Sequence, residues 1–140
     1  MKLLKDILYK VDLDRIVGNT NIAIPHMCFD SRQVQKDTLF VAIKGSLSDG
    51  HNFIAKAIDL GALAIICEDL PVDLNENVVY VKVKDSSKAL GVVASNFYDN
   101  PSEKIKLVGV TGTNGKTTVA TLLYNLFQAC LLYTSDAADE

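Results

Sequence analysis

The sequence has 140 residues, of which 49% are hydrophobic and 22% charged, with a mean hydropathy of +0.18. This composition is that of an ordinary globular protein, and it excludes collagen-like and intrinsically disordered chains. No apolar run reaches the roughly 18 residues that a membrane span needs. Charged residues are interspersed among the leucines of 1–15, which excludes a signal peptide. A cytoplasmic protein with no membrane insertion is therefore expected.

The formal net charge of −3 arises at the end of the chain. Asp136, Asp139 and Glu140 lie in the last five positions, and without them acidic and basic residues balance. This balance predicts neither a nucleic-acid-binding surface nor a polybasic membrane patch. The three cysteines lack metal-ligand spacing and are expected to be reduced thiols.

The apolar pattern predicts helices and strands that alternate along the chain. A short amphipathic helix is expected within 1–15, followed by an extended segment over 22–29 and a strand over 38–43. The turn residues of 46–51 then lead into a helix over 52–60. The first half of the chain therefore shows no internal repeat and is predicted to contain both helices and strands.

The second half continues the alternation. Strands are predicted over 63–67 and 78–83, and Ser86 is expected to cap a helix that reaches Phe97. The residues 99–102 break the pattern and mark the best domain boundary. Strands that alternate with helices predict an α/β architecture.

A glycine-rich turn follows a predicted strand over 107–110 and opens a helix whose apolar stripe begins at Val119. This order is the one that a phosphate-binding loop requires, because glycines admit positive φ and the first helical turn attracts anions. Lys116 is the predicted catalytic residue, since its charge can reach the β and γ phosphates of a bound nucleotide, and the Thr117 hydroxyl is the predicted Mg²⁺ ligand. The strict phosphate-loop pattern has glycine where Val110 stands. The residues predicted to bind the nucleotide phosphates are Gly112, Thr113, Asn114, Gly115, Lys116, Thr117 and Thr118.

The sequence changes character after Ala129. Residues 130–140 (CLLYTSDAADE) resemble the translation of a transposase sequencing adapter, and the match runs through the whole segment in order. The segment is therefore expected to be foreign, with a natural polar C-terminus as the alternative. On this interpretation the natural protein continues beyond Ala129, and the 140-residue fragment itself does not turn over substrate.

The segment TGTNGKTT at 111–118 resembles the ATP loop of the Mur ligases, which build the peptidoglycan stem peptide. The family's variant of the loop also accounts for the valine at 110. A second stretch agrees, because the DSR of 30–32, the LFVA of 39–42 and the DG of 49–50 resemble the family's N-terminal uridine-nucleotide domain. The resemblance covers about residues 22–129.

The resemblance implies an α/β fold made of the uridine-nucleotide domain plus the first strand, phosphate loop and helix of the central ATPase domain. The implied division is a lead-in over 1–21, the nucleotide domain over 22–100, a truncated ATPase domain over 101–129 and the foreign tail over 130–140. The residues that fall where the family holds the uridine nucleotide are Phe29, Ser31, Arg32, Ser46, Leu47 and Ser48. For Arg32, a structural ion pair with Asp30 is an equal alternative.

The resemblance further implies a monomeric ligase that uses ATP and Mg²⁺. ATP would phosphorylate the terminal carboxylate of UDP-N-acetylmuramoyl-L-alanyl-D-glutamate, and the amino group of a diamino acid would attack the acyl phosphate. The join formed by 97–102 and 107–112 is closest to the branch of the family that adds meso-diaminopimelate or L-lysine.

Two alternatives stay open at this point. The branch that adds D-alanyl-D-alanine shares the DSR and LFVA segments, but its loop more often carries serine at the position of Thr113. It also tends to have a Lys-Glu pair soon after the threonines, where this chain has Val119 and Ala120. The other alternative is an unrelated phosphate-loop module, which would have no use for a UDP-muramoyl peptide.

The two histidines, His26 and His51, have no carboxylate, serine or cysteine partner at a recognisable spacing. Both are therefore expected to be loop residues without a catalytic role.

Overall fold

The computed structural model describes residues 1–106 and 108–138, with side chains as far as Cys130. The chain forms two compact units, Met1–Lys104 and Ile105–Glu140. The strands are β1 (Lys2–Leu3), β2 (Leu13–Val17), β3 (Ala23–Ile24), β4 (His26–Cys28), β5 (Thr38–Val41), β6 (Ala62–Cys67) and β7 (Val79–Val83). The helices are α1 (Leu4–Ile7), α2 (Ile54–Asp59), α3 (Ser86–Phe97), α4 (Pro101–Lys104) and α5 (Lys116–Ala138). Among the described helices, none has the length and apolar character to cross a membrane.

The first unit is built on a five-stranded sheet with the order β2-β7-β6-β5-β4. Strands β4 to β7 are parallel, and β2 pairs with β7 antiparallel at one edge. The short strands β1 and β3 form a separate antiparallel pair. Because β4 to β7 are parallel, their carboxyl ends meet at one edge of the sheet, which is where α/β folds place their ligands. The predicted α/β architecture is confirmed.

The core lies on both faces of this sheet, because successive strand residues point to opposite sides. Leu39 and Val41 belong to the layer that contains α1 and α3, with Val93 among its fully buried members. Phe40 belongs to the opposite layer, together with Ile54 and Ala57 of α2. A parallel sheet covered on both faces needs strands that are apolar throughout, and every residue of β5 is buried.

The N-terminal helix is shorter than predicted. Leu4 and Ile7 are buried as the amphipathic pattern requires, but α1 has only one turn, residues 8–12 form a turn and an irregular link, and β2 begins at Leu13. As an edge strand, β2 is exposed along most of its length and gains its backbone hydrogen bonds from β7. Its mixture of charged and apolar residues therefore carries little of the signal that marks a central strand.

The start of α3 differs by one residue from the prediction. The Asp85 carboxylate accepts the Lys88 N–H at 3.0 Å, so Asp85 is the N-cap and Ser86 is the first helical residue. Where a break was expected, Asp99 and Asn100 adopt left-handed backbone conformations with φ of 62° and 50°. The one-turn helix α4 (Pro101–Lys104) follows directly, with proline in its favoured first position.

The second unit consists mainly of the phosphate-loop segment and α5. The strand predicted over 107–110 is wrong for 108–110, which has no strand pairing, while Leu107 lies outside the described residues. A strand needs a neighbour to receive its hydrogen bonds, and the described part of this unit contains none. The apolar stripe of α5 is exposed at Val119, Leu122, Leu126 and Phe127.

Candidate functional site

A cavity of about 570 Å³ opens beyond the carboxyl ends of β4 and β5. Four of the six residues predicted to bind the uridine nucleotide line it: Phe29, Ser31, Arg32 and Ser48. Ser46 and Leu47 are not among the lining residues, and the Leu47 side chain is fully exposed. The predicted residues thus converge on one cavity, with the tip of the loop pointing away from it.

The turn after β4 places Ser31 against this cavity. Ser31 begins a single 3-10 turn, Ser31–Gln33, and is largely buried. The Asp30 carboxylate caps that turn by accepting the Arg32 N–H at 2.9 Å. It also accepts the Arg32 guanidinium through Nε at 3.0 Å and Nη2 at 2.6 Å. These bonds to Arg32 lower the pKa of Asp30 to about 2, and they realise the ion pair that the sequence left as one of two roles for Arg32.

The loop after β5 forms a second wall of the cavity through Gly45, Ser48 and Gly50. It is a tight reversal, in which the Gly45 N–H bonds the Ser48 carbonyl at 3.0 Å and the Gly50 N–H bonds the Ile43 carbonyl at 2.7 Å. A Cβ on Gly50 would lie 2.7 Å from the Ile43 nitrogen, closer than real Cβ atoms come. Glycine at 50 is therefore required by the close approach of two backbone segments.

His51 has partners that the sequence analysis did not find. Its Nδ1 lies 2.6 Å from Asp49 Oδ1, and its Nε2 accepts the Glu68 N–H at 2.9 Å. The expectation that His51 lacks a carboxylate partner is therefore wrong. Asp49 lies two residues before His51 in the same turn. This is an Asx turn, in which the side-chain oxygen accepts a backbone N–H two residues further on, and the Asp49 carboxylate accepts the His51 N–H at 2.9 Å. These hydrogen bonds from His51, first the backbone one and then that of the ring, lower the pKa of Asp49.

Charged groups continue this network at the end of β6. Lys44 Nζ lies 2.9 Å from an Asp69 oxygen and 3.1 Å from a Glu68 oxygen, and these contacts, first that with Asp69, raise the pKa of Lys44 to about 12. The other Glu68 oxygen accepts the N–H and the hydroxyl of Ser86 at 3.0 and 2.9 Å. The Ser86 N–H is the main cause of the lowered pKa of Glu68. The network thus joins the loop after β5 to β6 and to the start of α3.

Seven lining residues are not among the predicted nucleotide-binding residues, and three of them, Asp30, Gly45 and Gly50, belong to the two loops already described. Phe40 and Ile43 lie at and just beyond the end of β5, whereas Phe53 and Lys56 come from the segment that enters α2. Phe53 and Lys56 are three residues apart, so a helical turn places them on one side. That spacing, directly after the turn-rich loop, is the signal that could have found them.

The segment at 111–118 has the backbone of a phosphate loop. Gly112 and Gly115 have φ of +149° and +78°, conformations that favour glycine. The helix α5 begins at Lys116, and its first turn closes with the Val119 N–H on the Gly115 carbonyl at 2.9 Å. The Lys116 ammonium reaches back to the Gly112 carbonyl, so its charge lies across the loop. Glycine conformations, a helix N-terminus and a cation therefore come together in the arrangement that suits a nucleotide phosphate.

The cysteines and acidic residues form no second centre in the part of the chain that the structure describes. No group of three or more His, Cys, Asp or Glu side chains there could hold a metal ion. Cys67 is fully buried in the core, and this burial raises the pKa of its thiol to about 11. A thiol with a raised pKa is a poor nucleophile, which leaves Cys67 a packing role.

Sequence comparison gives one family and a consistent set of relatives. A family model described as "Mur ligase family, catalytic domain" matches residues 23–98. The UDP-N-acetylmuramoyl-L-alanyl-D-glutamate--2,6-diaminopimelate ligase of Cytophaga hutchinsonii is 54% identical over 126 residues, covering 89% of this chain and 26% of that protein. The Bacteroides fragilis protein of the same name is 53% identical over 125 residues, with the same two coverages. The chain therefore spans about a quarter of the length of the curated relatives it matches.

Solved structures agree with this assignment. The UDP-N-acetylmuramoylalanyl-D-glutamyl-2,6-diaminopimelate--D-alanyl-D-alanyl ligase from Acinetobacter baumannii superposes with a TM-score of 0.62 at 25% identity. The match covers 83% of this chain and 25% of that one. MurF ligase from Thermotoga maritima in complex with ADP gives a TM-score of 0.53 at 35% identity, covering 74% of this chain and 23% of that one. With a family model that matches more than half of its residues, the chain belongs to the Mur ligase family.

Proposed function

We propose that this chain is part of an ATP-dependent ligase that adds meso-diaminopimelate to UDP-N-acetylmuramoyl-L-alanyl-D-glutamate during peptidoglycan synthesis. The observation that carries the proposal is the cavity beyond β4 and β5, which gathers Phe29, Ser31 and Ser48 in a chain that also holds a phosphate loop. Relatives at 45–54% identity that bear this ligase name support the choice of substrates.

In this proposal the cavity binds the uridine nucleotide. The exposed Phe29 ring offers a flat apolar surface on which a pyrimidine can stack. Ser31 and Ser48 supply hydroxyl groups that can donate to or accept from the uracil edge. Lys56 adds a positive charge for the pyrophosphate, whereas the Arg32 guanidinium is already engaged by Asp30.

ATP would bind at the second loop, through the backbone N–H groups of 112–118 and the Lys116 ammonium. A Mg²⁺ ion would be held by the Thr117 hydroxyl in the first turn of α5, together with the ATP phosphates. The two glycine conformations and the position of Lys116 fit this nucleotide. The Thermotoga maritima ligase, a family member whose structure was solved in complex with ADP, supports the same choice.

The proposed reaction requires the protein to stabilise negative charge on the transferred phosphoryl group. The terminal carboxylate of the UDP-linked dipeptide attacks the γ-phosphorus, the bond to ADP breaks, and an acyl phosphate forms. The amino group of the diamino acid then attacks the acyl carbon, phosphate leaves, and an amide bond remains. Lys116 is the catalytic residue of the first step, because its ammonium meets the negative charge that develops on the transferred phosphoryl group.

The same proposal assigns the parts of the chain. Residues 22–100 form the uridine-nucleotide domain behind a lead-in over 1–21, and 101–129 begin the ATPase domain. Residues 130–140 are foreign, although α5 runs on to Ala138. A cytoplasmic, monomeric enzyme and a choice of diaminopimelate over L-lysine complete the proposal.

The branch that adds D-alanyl-D-alanine is the second candidate, because solved structures with that name share the fold. Their identity to this chain is 25–35%, below the 42–54% of the relatives named as diaminopimelate ligases, which favours the first candidate.

Two titrations of the 140-residue chain, followed by amide NMR, test the proposal. UDP-N-acetylmuramoyl-L-alanyl-D-glutamate should shift the signals of Phe29, Ser31 and Ser48, and Mg-ATP should shift those of 112–118. UDP alone is the control for the nucleotide part and should shift the first set less strongly. If millimolar UDP-dipeptide leaves Phe29, Ser31 and Ser48 unmoved, the uridine-nucleotide site is not there.

A further inference from the structure

His51 connects two parts of the fold that are distant in sequence. Through Nδ1 it contacts Asp49 in its own loop, and through Nε2 it contacts the Glu68 backbone at the end of β6. Its side chain is only 11% exposed, so the ring lies between the loop and the sheet edge. The cavity is lined by Gly45, Ser48 and Gly50 of the same loop, and His51 is not itself a lining residue.

The hydrogen bonds define which ring nitrogen carries the proton. A backbone N–H can only donate, so Nε2, which faces the Glu68 N–H, must be an acceptor. In the neutral ring the proton is therefore on Nδ1, where it is donated to the Asp49 carboxylate. Only this neutral tautomer lets the ring donate to the Asp49 carboxylate and accept the Glu68 backbone N–H at the same time.

The charged groups around the ring hold the same two segments together. Asp49 also accepts the His51 N–H, which closes the turn, and Lys44 links the start of the loop to Glu68 and Asp69. The loop is thus attached to β6 at both of its ends, by Lys44 on one side and by His51 on the other. A loop fixed in its bound shape binds a ligand more tightly, because less ordering remains to be done.

We propose that His51 is a positioning residue, which holds the 44–50 loop in the conformation that binds the uridine nucleotide by acting as a neutral Nδ1–H bridge between Asp49 and Glu68. This role rests on the proposed function of the cavity. His51 does not touch the nucleotide, and its effect on binding passes through Ser48 and the loop backbone.

Three substitutions separate the two hydrogen bonds. His51→Ala removes both. In His51→Asn the side-chain amide lies at the position of Nδ1 and can keep the Asp49 bond, and in His51→Gln it reaches the position of Nε2 and can keep the Glu68 bond. The matched control is Tyr80→Phe, because the Tyr80 hydroxyl also accepts a backbone N–H, that of Asn75 at 3.0 Å, in a loop that does not line the cavity.

The probe is UDP, titrated by NMR into the 140-residue chain and its variants. We expect His51→Ala to weaken UDP binding about tenfold, His51→Asn and His51→Gln to fall between it and the wild type, and Tyr80→Phe to change affinity less than twofold. In the wild type, long-range ¹H–¹⁵N correlations of the imidazole should show the proton on Nδ1. Hydrogen exchange of the 45–50 amides should quicken in His51→Ala and not in Tyr80→Phe.

The outcomes distinguish the inference from the function on which it rests. A wild-type chain that binds no UDP overturns the uridine-nucleotide site and with it the positioning role. A wild type that binds UDP while His51→Ala binds it equally well overturns the positioning role alone. So does a proton found on Nε2, or an equal loss of affinity in Tyr80→Phe, since either would leave His51 with a general structural effect.

Discussion

The two loops proposed to hold phosphate-bearing ligands are supported in very different ways. The 44–50 loop is fastened to a sheet with a buried core on both faces, by side-chain and backbone bonds at each end. The 111–118 loop is followed by α5, whose apolar stripe is exposed. The first loop therefore owes its shape to long-range contacts, and the second owes it to local backbone rules.

The helices α3 and α5 show the same difference. Both carry apolar residues at helical spacing, but α3 buries Ala89 and Val93 against the sheet, whereas Leu122 and Leu126 of α5 are exposed. A helical apolar pattern indicates that one face of a helix is suited to burial. It does not indicate whether another part of the chain packs against that face. Stability in this chain should accordingly reside in the first unit.

The largest expected effect tests that statement with two leucines. Leu39→Ala in β5 should lower the free energy of unfolding by about 2–5 kcal/mol, because it leaves a cavity in a fully buried position. Leu126→Ala, at a residue that is 58% exposed, should change it by less than about 0.5 kcal/mol. Urea denaturation followed by circular dichroism measures both. Equal losses in the two variants would mean that α5 is packed as firmly as the sheet.

The second-largest expected effect is on the rate of catalysis and not on the free energy of unfolding. On the proposed function, Lys116→Ala in a ligase of full family length that carries this segment should reduce amide-bond formation roughly a hundredfold or more, or about 3 kcal/mol, because the proposed role of the ammonium is to stabilise charge in the transition state. Nucleotide affinity should fall by less than the rate does. The matched control is Lys104→Ala, an exposed lysine in α4, which should leave the rate unchanged. A Lys116→Ala enzyme within threefold of the wild type would leave the phosphate-loop assignment without support.

Alanine substitutions at two glycines are expected to change the stability of the first unit by intermediate amounts and in opposite directions. Gly50→Ala should destabilise the first unit by about 1–3 kcal/mol, because its Cβ would lie 2.7 and 2.9 Å from backbone atoms of Ile43. Gly91→Ala in α3 should stabilise it by about 0.5–1 kcal/mol, since nothing lies within 4 Å of the new methyl group and alanine favours the helix. Thermal unfolding of both variants measures the difference. A tolerated alanine at 50 would show that the loop can move away from Ile43.

The smallest expected effect is a pH dependence at Asp30. Its carboxylate is held by Arg32 with a pKa of about 2, below the roughly 3.9 of an unfolded chain, so the ionised form stabilises the fold above pH 4. That contribution is lost as the pH falls from about 4 through 2, because the carboxylate takes up a proton. Asp30→Asn keeps the side-chain oxygen that caps the turn and removes the charge.

Urea titrations of the wild type and Asp30→Asn between pH 5 and pH 2 measure this contribution. The wild type should be the more stable at pH 5, and the difference should shrink towards pH 2. A difference that stays constant over this range would show that Arg32 does not act through the charge of Asp30.

The fold was most predictable where burial leaves a simple pattern. The apolar runs of β5 and β6 were recognisable because both faces of these strands are covered. The edge strand β2 was missed, since its residues are mostly exposed and its pairing partner β7 lies far along the chain. The expected strand does not form at 108–110 for the opposite reason, because a suitable sequence does not form a strand without a neighbour.

The candidate site was also predictable where its features are local in the sequence and not where they depend on distant contacts. The family resemblance predicted Phe29 and Ser31, which line the cavity, and the glycine pattern predicted the phosphate loop, because glycine conformations are local properties of a sequence. The Glu68 N–H that binds His51 is 17 residues away, and only the fold brings the two together. Contacts of that kind cannot be read from spacing along the chain.

Asn96 has a consequence for the order in which the chain folds. Its side-chain amide donates to the carbonyls of Ile7 and Tyr9 at 2.9 and 2.6 Å, across 89 and 87 residues, and Lys2 reaches back to the Asn96 carbonyl. During synthesis on the ribosome, β1 can pair with β3 early, but the carbonyls of Ile7 and Tyr9 remain without the Asn96 amide until α3 has left the exit tunnel. Closure of such distant contacts is slow and leaves apolar groups such as Leu4 and Ile7 exposed in the meantime. The contacts between the N-terminal segment and α3 are thus among the last of the first unit to form, although the N-terminal segment is the first part to be made.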